Sequence, residues 1–374
     1  MARYNDTYGD GLGGARPQQR TIFGVLLFVI MMAITCSASV ALIIAYLTPY
    51  VSPSTFGSLT IVGIFAPILY ITVVICMLVW LIMGRRTIAA AVAVVLIPGL
   101  FQISSFYNIS LFRETEAERG GRSFTLLSYN VHGFSLGSKS RVDDFVEYLS
   151  KEPMPDVVCF QEYLRSTDGV ERIDSLFGNY HSYETEEYED LKLVTFSRFP
   201  IIDSGSIRTQ GTTQWCDVVM YERDTVRIFN NHLYTMSISD DDRKYIDAGS
   251  ILADGDRMAS IIDRIADHSN LRAGHVDTVR RVVDVTPYPH VLCGDFNDTP
   301  MSYVYRSISR NLNDAFVEQG RGYGYTFRPM HSILRIDYML YSDDLECRSF
   351  ATDTDNELSD HLPLSATFAK KMQQ

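Results

Sequence analysis

Three long apolar runs occupy the first third of the chain, at about residues 21–47, 59–83 and 88–112. Each run is long enough to cross a bilayer as a helix, which needs about 20 apolar residues. Pro98, Gly99 and several polar residues interrupt the third run, but such residues are tolerated where neighbouring helices satisfy the backbone. The pattern therefore predicts a membrane domain at 21–112 with three transmembrane helices.

Positive charge predicts how these helices are oriented. The basic residues of this region are five arginines: Arg3, Arg16 and Arg20 before the first run, and Arg85 and Arg86 between the second and third. Because cytoplasmic loops are enriched in Lys and Arg, we expect a cytoplasmic N-terminus and an extracytoplasmic domain after residue 112, in a protein integral to the cell (inner) membrane. An even number of spans would reverse the compartment of that domain. The alternative for the first run is a cleaved signal peptide, whose apolar part of roughly 7–15 residues is much shorter.

After residue 122 the pattern changes to short apolar segments separated by turns and amphipathic stretches. Strands are predicted at 124–130, 156–162, 192–196, 201–207, 215–221, 226–232, 335–341, 345–352 and 364–368. Helices are predicted at 141–149, 254–267 and 274–284. This order indicates an α/β domain at 124–374, joined to the membrane part by a charged linker at 113–123. The Gly-, Arg- and Gln-rich tail at 1–20 is expected to be disordered.

The most informative stretch is 291–300, where an apolar segment ends in a cluster of polar side chains. Asp295 and Asn297 lie two residues apart, so on an extended chain they point to the same side. They offer a carboxylate and an amide that can donate to an anionic oxygen. Thr299 and Pro300 are typical of an N-cap and a first helical position. Taken alone, an Asx-rich turn explains this stretch equally well.

Matching polar residues end or adjoin five other segments: Ser128-Tyr129-Asn130, Phe160-Gln161-Glu162, Asn230-Asn231-His232-Leu233, Arg335-Ile336-Asp337-Tyr338 and Leu358-Ser359-Asp360-His361. In this order, the set resembles the endonuclease/exonuclease/phosphatase superfamily of deoxyribonuclease-like folds over about residues 122–370. The resemblance implies a four-layer α/β/β/α sandwich of two packed mixed β-sheets. It also implies cleavage of a phosphate ester with the help of Mg²⁺, with Mn²⁺ as a second choice.

Three of these residues are candidates for holding the cation. Glu162 is the first choice for a direct ligand, because hard divalent cations prefer oxygen donors. Asn130 is expected to hold the ligand cluster or a water of the ion, and Asp360 supplies a second carboxylate near it. The alternative interpretation of Glu162 is a surface carboxylate where a strand ends.

Five residues are candidates for the chemical step. Asp295 is expected to orient or deprotonate the attacking water, and Asn297 to donate to the charge that develops on the phosphoryl group. Asp337 and His361 form a predicted pair in which the carboxylate fixes the imidazole tautomer. His232 is expected to donate to the phosphate or to protonate the leaving oxygen, with a structural histidine as the alternative. The sequence leaves open whether Asp295 or His361 is the general base.

Charge bears on the class of substrate. After residue 112 the chain has 28 basic and 43 acidic side chains, a formal net charge of −15. Nonspecific nucleic-acid binding depends on Lys and Arg, and no basic run with interleaved aromatic residues is present. An acidic domain tethered to a membrane favours a lipid headgroup or a small phosphodiester. A nuclease acting on extracytoplasmic DNA or RNA is the alternative, and a catalytically inert binding module is a further one.

The remaining chemistry-bearing residues give no clear pattern. The six cysteines have neither zinc-site spacing nor a readable disulfide framework. His268 and His275 lack a partner pattern and are expected at the surface.

Overall fold

The computed structural model describes residues 22–371 apart from 110–121, 137–138, 152, 189, 222–223, 237–240, 243–244, 246–254 and 330–331. The predicted tail at 1–20 and most of the predicted linker at 113–123 lie outside these residues.

Five helices precede the β-sheets: α1 (Ile22–Leu47), α2 (Pro53–Phe56), α3 (Leu59–Ile64), α4 (Ala66–Ile82) and α5 (Arg86–Leu100). By length and composition, one helical stretch of the described chain could cross a membrane, namely Ile22–Tyr50. Three full-length transmembrane helices were expected, and this prediction is wrong for the second and third runs. The second run breaks at Phe65, where Pro67 starts a new helix, and the third ends two residues after Pro98. Helices α4 and α5 therefore have 17 and 15 residues.

Helices α1, α4 and α5 pack around a small apolar core that contains Leu42, Val73 and Val92. Trp80 lies fully buried within this core, and its indole N–H donates to Thr35 Oγ1 at 2.9 Å. The outward faces of the same helices are also apolar, since their exposed residues include Ile43, Ile71, Ile75, Leu78, Val94 and Ile97. Helices that are apolar on all sides are typical of a lipid environment.

Two six-stranded sheets follow, with strands numbered along the chain. The first has the order β15 (Leu345–Thr352), β16 (Leu364–Lys370), β2 (Ser123–Asn130), β5 (Val157–Leu164), β7 (Leu191–Ser197) and β6 (His181–Glu186). The second has the order β12 (Asn313–Asp314), β14 (Asp337–Tyr341), β11 (His290–Asp295), β10 (Asp224–His232), β9 (Thr212–Met220) and β8 (Ile201–Arg208). Both are mixed, because the pairs β2–β5 and β10–β11 are parallel and the other pairs are antiparallel. Two short ribbons complete the strands, β1 (Tyr107–Asn108) with β13 (Gly322–Tyr323) and β3 (Ser135–Leu136) with β4 (Lys139–Ser140).

The sheets pack face to face through a continuous apolar core, which includes Leu126, Cys159, Ile228, Val291 and Phe368. Helices α6 (Val142–Leu149) and α7 (Glu171–Leu176) cover the outer face of the first sheet. Helices α8 (Gly255–Asp284) and α9 (Tyr303–Ile308) cover the outer face of the second. A fifth helix of this domain, α10 (Ala315–Gln319), packs against β15 at the sheet edge. The predicted sandwich of two mixed sheets is therefore confirmed.

The long helix α8 differs from its prediction. Two helices at 254–267 and 274–284 were expected, but one helix of 30 residues runs through both and through Gly274. His275 is 1% exposed and not at the surface, because it contacts Thr213 of β9 and Thr209 of the turn between β8 and β9. A second correction concerns the helix after 291–300, whose N-cap is Ser302, since its hydroxyl accepts from the Tyr305 N–H.

The N-terminal helices dock directly on the sandwich. Thr60 Oγ1 of α3 and Ser269 Oγ of α8 are 3.0 Å apart and buried. Any side chain at Gly63 would overlap the Met301 carbonyl oxygen. Arg335, fully surrounded by protein, donates to the Ser105 carbonyl at 3.0 Å. The helical unit therefore rests on α8 and on the loop that follows β11.

Candidate active site

Three adjacent strands of the second sheet place a row of polar residues at one edge of the sandwich. His232, at the end of β10, is the register partner of Asp295, at the end of β11. Asp295 is in turn the register partner of Asp337, at the start of β14. Since neighbouring strands lie about 4.8 Å apart, this register alone brings the three side chains together.

Gly294 allows β10 and β11 to approach closely next to this row. Its φ of +124° is outside the range that residues with a side chain normally adopt. A Cβ at this position would overlap the carbonyl oxygen of Asn231. The glycine of the 291–300 stretch is therefore required by the spacing of the two strands that carry His232 and Asp295.

The first sheet contributes residues from the ends of its parallel pair β2 and β5. Glu162 lies in a β-bulge of β5 and has a φ of +54°, which displaces it from the regular alternation of the strand. Asn130, the last residue of β2, donates its side-chain N–H to Glu162 Oε1 at 3.0 Å and to Asp295 Oδ2 at 3.2 Å. Asn130 therefore joins the two sheets by bridging one carboxylate from each.

Asp295 is at the centre of the site and is almost completely buried. It accepts the Asn297 backbone N–H at 2.8 Å and the Asn297 side-chain N–H at 3.0 Å. The other side-chain hydrogen of Asn297 goes to the Leu233 carbonyl at 3.0 Å. Both amide hydrogens of Asn297 are thereby used, so the structure gives this residue a positioning contact with Asp295. Burial raises the pKa of Asp295 to about 7, although His361 and His232 act in the opposite direction.

Two histidine–carboxylate pairs approach Asp295 from different sides. His361 Nδ1 lies 2.9 Å from Asp337 Oδ2, and its Nε2 lies 3.6 Å from Asp295 Oδ2. His232 Nδ1 lies 2.8 Å from Glu187 Oε1, and its Nε2 lies 3.7 Å from Asp295 Oδ2. Each carboxylate accepts from Nδ1, so the Nε2 atom of each imidazole faces the centre of the site.

These neighbours change the acid–base properties of the site. Burial works to lower the pKa of both histidines, but the carboxylates outweigh it. Glu187 raises the pKa of His232 to about 10, and Asp337 together with Asp295 raises the pKa of His361 well above its usual range. Burial also opposes ionisation of Glu162, but His132, His232 and Asn130 lower the pKa of Glu162 to about 2.

The donor set fits a hard divalent cation. One ligand atom from each of Glu162, His232 and Asp295 lies within 4.8 Å of the others, and the same holds for Asp295, Asp337 and His361. Glu162 Oε1 and Asp295 Oδ2 both neighbour Asn130 Nδ2 and His232 Nε2. Two carboxylate oxygens held so close to each other are what a cation such as Mg²⁺ or Mn²⁺ stabilises.

Asp360 reaches this cluster through His132. Its Oδ1 is 3.6 Å from His132 Nδ1, and His132 Nδ1 is 3.3 Å from Glu162 Oε2. The exposed fraction of the His132 side chain is 46%, the largest in the cluster. Asp360 and Glu162 therefore share contacts to one imidazole nitrogen, whereas Asp295 is joined to Glu162 through Asn130.

Sequence reasoning missed Glu187 and His132. Glu187 follows β6 in a polar turn, where a carboxylate is ordinarily solvated, yet its side chain is 5% exposed. His132 lies two residues after Asn130 in a turn with a φ of +46° and donates its backbone N–H to Asn130 Oδ1. The adjacency of His132 to Asn130 was the available signal. Glu187 gave none, because its partner His232 is 45 residues away.

A buried arginine supports two of the loops that form the site. Arg272 of α8 is 0% exposed, and its Nε lies 3.2 Å from Asp298 Oδ2, three residues after Asp295. Its Nη1 donates to the carbonyls of Tyr234 and Thr235, which follow His232. One side chain therefore connects the segments after β10 and β11.

Comparison with known sequence families agrees with this geometry. Residues 127–361 match the model of the Endonuclease/Exonuclease/phosphatase family. Because this match covers more than half of the chain, the protein belongs to that family. Residues 25–106, which contain the N-terminal helices, match a domain of unknown function, DUF8431. No curated protein sequence matches the chain.

Solved structures of this fold are similar to the sandwich. The catalytic domain of human Nocturnin with bound sulfate is 20% identical with a TM-score of 0.50, covering 67% of this chain and 94% of that one. A family protein from Bacteroides thetaiotaomicron is 16% identical with a TM-score of 0.49, covering 68% and 100%. TDP2 from C. elegans is 18% identical with a TM-score of 0.48, covering 66% and 75%. At such identities the Nocturnin domain shows that the fold is shared.

Proposed function

We propose that this chain is a membrane-anchored, divalent-metal-dependent hydrolase of phosphate esters, with a lipid headgroup or a small phosphodiester as substrate. One observation carries the proposal. Five residues that are far apart in sequence converge at one edge of the sandwich as two triads that share Asp295, namely Glu162–His232–Asp295 and Asp295–Asp337–His361. A binding module has no need for two oriented histidine–carboxylate pairs beside a buried aspartate, which disfavours the inert alternative.

The cation would be held by Glu162, with Asn130 fixing the distance between this carboxylate and Asp295. When bound, it would offset negative charge on the phosphoryl oxygens and favour attack by water. Asp360 contacts the same His132 nitrogen as Glu162, and it would act as a second carboxylate near the ion, directly or through a bridging water.

The chain's own groups supply the proton transfers. Asp295 lies 3.6 Å from His361 Nε2 and accepts two N–H groups from Asn297, so it can orient a water and receive its proton. His361, held by Asp337, is then a cationic neighbour that stabilises the developing negative charge. His232, held by Glu187, carries a proton on Nε2 that it can donate to the leaving oxygen.

Anchoring in a membrane is the part of the proposal that depends on the N-terminal helices. Helix α1 has the length and composition of a span, and α4 and α5 pack against it with their other faces apolar and exposed. We place α4 and α5 in the hydrocarbon region as a hairpin beside α1, and the sandwich on the extracytoplasmic side. Reporter fusions after residues 58, 87 and 120 test this topology, and a cytoplasmic signal from the last one would refute it.

The net charge of −15 after residue 112 and the membrane tether favour a lipid or small ester over nucleic acid. Nuclease activity on extracytoplasmic DNA or RNA is the second candidate, supported by the family to which the chain belongs.

The experiment is hydrolysis of three substrates by the purified full chain: plasmid DNA, a choline phospholipid and bis(p-nitrophenyl) phosphate. Each substrate is assayed with Mg²⁺, with Mn²⁺ and with chelator. The same assays are repeated with the Glu162→Gln variant in place of the wild type. Glu171→Gln is the matched control, because Glu171 begins α7 and is exposed. We expect metal-dependent turnover of the lipid or the small ester that is lost in Glu162→Gln alone. Turnover that survives chelation would exclude a role of the metal ion in catalysis. Rapid plasmid nicking without ester hydrolysis would favour the nuclease as the function of the protein.

A further inference from the structure

A second concave site lies where the N-terminal helices meet the sandwich. It is a cavity of about 240 Å³ between α1, α4, α5 and two segments of the catalytic domain. Its walls include Leu42, Tyr46, Tyr70 and Ile71 from the helices, and Met301 and Tyr323 from the catalytic domain. None of these residues belongs to the phosphate-ester site, so the cavity needs its own explanation.

The chemistry of the walls favours a largely apolar ligand and disfavours water. The lining is almost entirely aliphatic or aromatic. Two buried polar atoms, the Tyr46 hydroxyl and Gln102 Oε1, belong to lining residues and have no hydrogen-bond partner among the described residues. A buried water usually makes about three hydrogen bonds, whereas apolar cavities stay dry and accept apolar ligands. The walls therefore fit a hydrocarbon chain that has a polar group near one end.

The position of the cavity indicates the source of such a chain. Ile71 lines the cavity and is also 60% exposed on the outward face of α4. The neighbouring outward residues of α4, Ile68 and Ile75, are exposed as well. The cavity therefore opens at a surface that would contact the acyl region of a bilayer, where lipid chains are the abundant apolar molecules.

We propose that this cavity binds the hydrocarbon chain of a membrane lipid, an inference that depends on the membrane insertion of the proposed function. The Tyr46 hydroxyl, which lies in the wall of the cavity, would donate to an ester oxygen of the same lipid. A chain bound here would fill a void between the helices and the catalytic domain, whose emptiness would otherwise cost stability.

Two short segments connect this cavity with the active site. Met301 lines the cavity four residues after Asn297, so their Cα atoms are at most about 14 Å apart. Tyr323 lines it four residues before Phe327, whose ring centroid is 4.9 Å from that of His361. The bound hydrocarbon chain therefore belongs either to a structural lipid or to the substrate itself. The experiment has to separate these two sources.

The test uses the full chain in phosphatidylcholine bilayers in which one acyl chain carries a diazirine. Photo-cross-links are mapped by mass spectrometry in the wild type, Ile71→Trp and Ile75→Trp. Ile71→Trp fills the cavity, whereas Ile75→Trp adds the same side chain one turn away, on an exposed position outside the lining. Ile103→Trp narrows the cavity from another wall and repeats the test if Ile71→Trp does not fold.

We expect cross-links at Tyr46, Tyr70 or Gln102 that fall several-fold in Ile71→Trp and persist in Ile75→Trp. Cross-links that are equally strong at the outward residue Ile43 and insensitive to Ile71→Trp would show annular lipid only and overturn the proposal. Because cross-linking needs no turnover, its outcome is independent of whether any ester is hydrolysed.

The same variants then distinguish the two sources of the chain. Hydrolysis of bis(p-nitrophenyl) phosphate reports the active site without a tail, and hydrolysis of a choline phospholipid reports it with one. Loss of the cross-link with both activities unchanged identifies a structural lipid. Loss of the cross-link with a raised KM for the phospholipid alone identifies the substrate's own tail.

Discussion

Arg272 and Asp298 form an ion pair at 3.2 Å in the interior of the protein, where the exposed fractions of their side chains are 0% and 1%. The pair joins the middle of α8 to the loop that follows Asp295. Helix α8 also contacts the N-terminal helices through Ser269 and Thr60. One helix therefore lies between the N-terminal helices and the residues proposed to bind the cation, and its buried arginine connects the helix to the active-site loops.

This arrangement predicts a large effect of Arg272→Met. Breaking a buried ion pair by removing one partner costs about 3–5 kcal/mol, because the other charge stays buried without compensation. Turnover should fall as well, since the loops after His232 and Asp295 lose their common anchor. Stability is measured by chemical denaturation and turnover by ester hydrolysis, below the unfolding midpoint of the variant.

Arg280→Met is the matched control for that substitution. Arg280 lies two turns further along α8, is nearly buried and pairs with Asp284, whose side chain is 38% exposed. We expect a smaller loss of stability and unchanged turnover. Equal losses of turnover in the two variants would mean that α8 acts only through general stability and not through Arg272.

The pair formed by Asp337 and His361 predicts strongly non-additive kinetics. His361→Ala should lower kcat by roughly 10²–10³-fold, the range for removing one group that stabilises charge in the transition state. Asp337→Asn should lower kcat less, because the imidazole remains but loses the carboxylate that orients it and raises its pKa. The double variant should be no worse than His361→Ala, since groups that act as a unit do not add. Multiplicative losses in the double variant would show that Asp337 acts on a different step.

Glu187 predicts a change in the protonation of His232. Burial alone would lower the pKa of His232, and the Glu187 carboxylate at 2.8 Å is the largest influence that raises it. In Glu187→Gln the pKa of His232 should therefore fall well below its wild-type value of about 10. An NMR titration of labelled histidine in the metal-free protein measures this shift.

Glu186→Gln is the control for the titration, because Glu186 is the neighbouring residue and its side chain is exposed. It should leave the pKa of His232 unchanged. An unchanged titration in Glu187→Gln would assign the protonation of His232 to Glu162 and Asp295 instead.

The order of short strands and helices predicts an α/β domain, and the resemblance carried by the six polar motifs implies the two-sheet sandwich and the residues proposed for the site. A buried strand that ends in a polar residue places that residue at the sheet edge, and β-register then brings Asp295 beside His232 and Asp337. Contacts between distant segments are beyond this reasoning. Glu187 looks like a solvated turn residue, and His275 looks like a surface residue of a polar helix, until the packing of α8 on β9 buries it. The apolar runs of the first third show another case, because hydropathy alone does not reveal that the second run is divided into two helices at Phe65.

Burial of His275 predicts a loss of stability in mild acid. Burial lowers the pKa of His275 from 6.5 to about 4. The unfolded chain therefore binds a proton between these values while the folded protein does not. This stabilisation is fully present above pH 6.5 and is lost as the pH falls towards 4, by about 3 kcal/mol in total.

His275→Gln lacks a titrating group, so its free energy of unfolding should depend less steeply on pH in this window. His268→Gln, on the same helix but partly exposed, should retain the wild-type slope. Denaturation of the three proteins between pH 4 and pH 7 makes the comparison, and parallel slopes for wild type and His275→Gln would contradict a neutral, buried imidazole at this position.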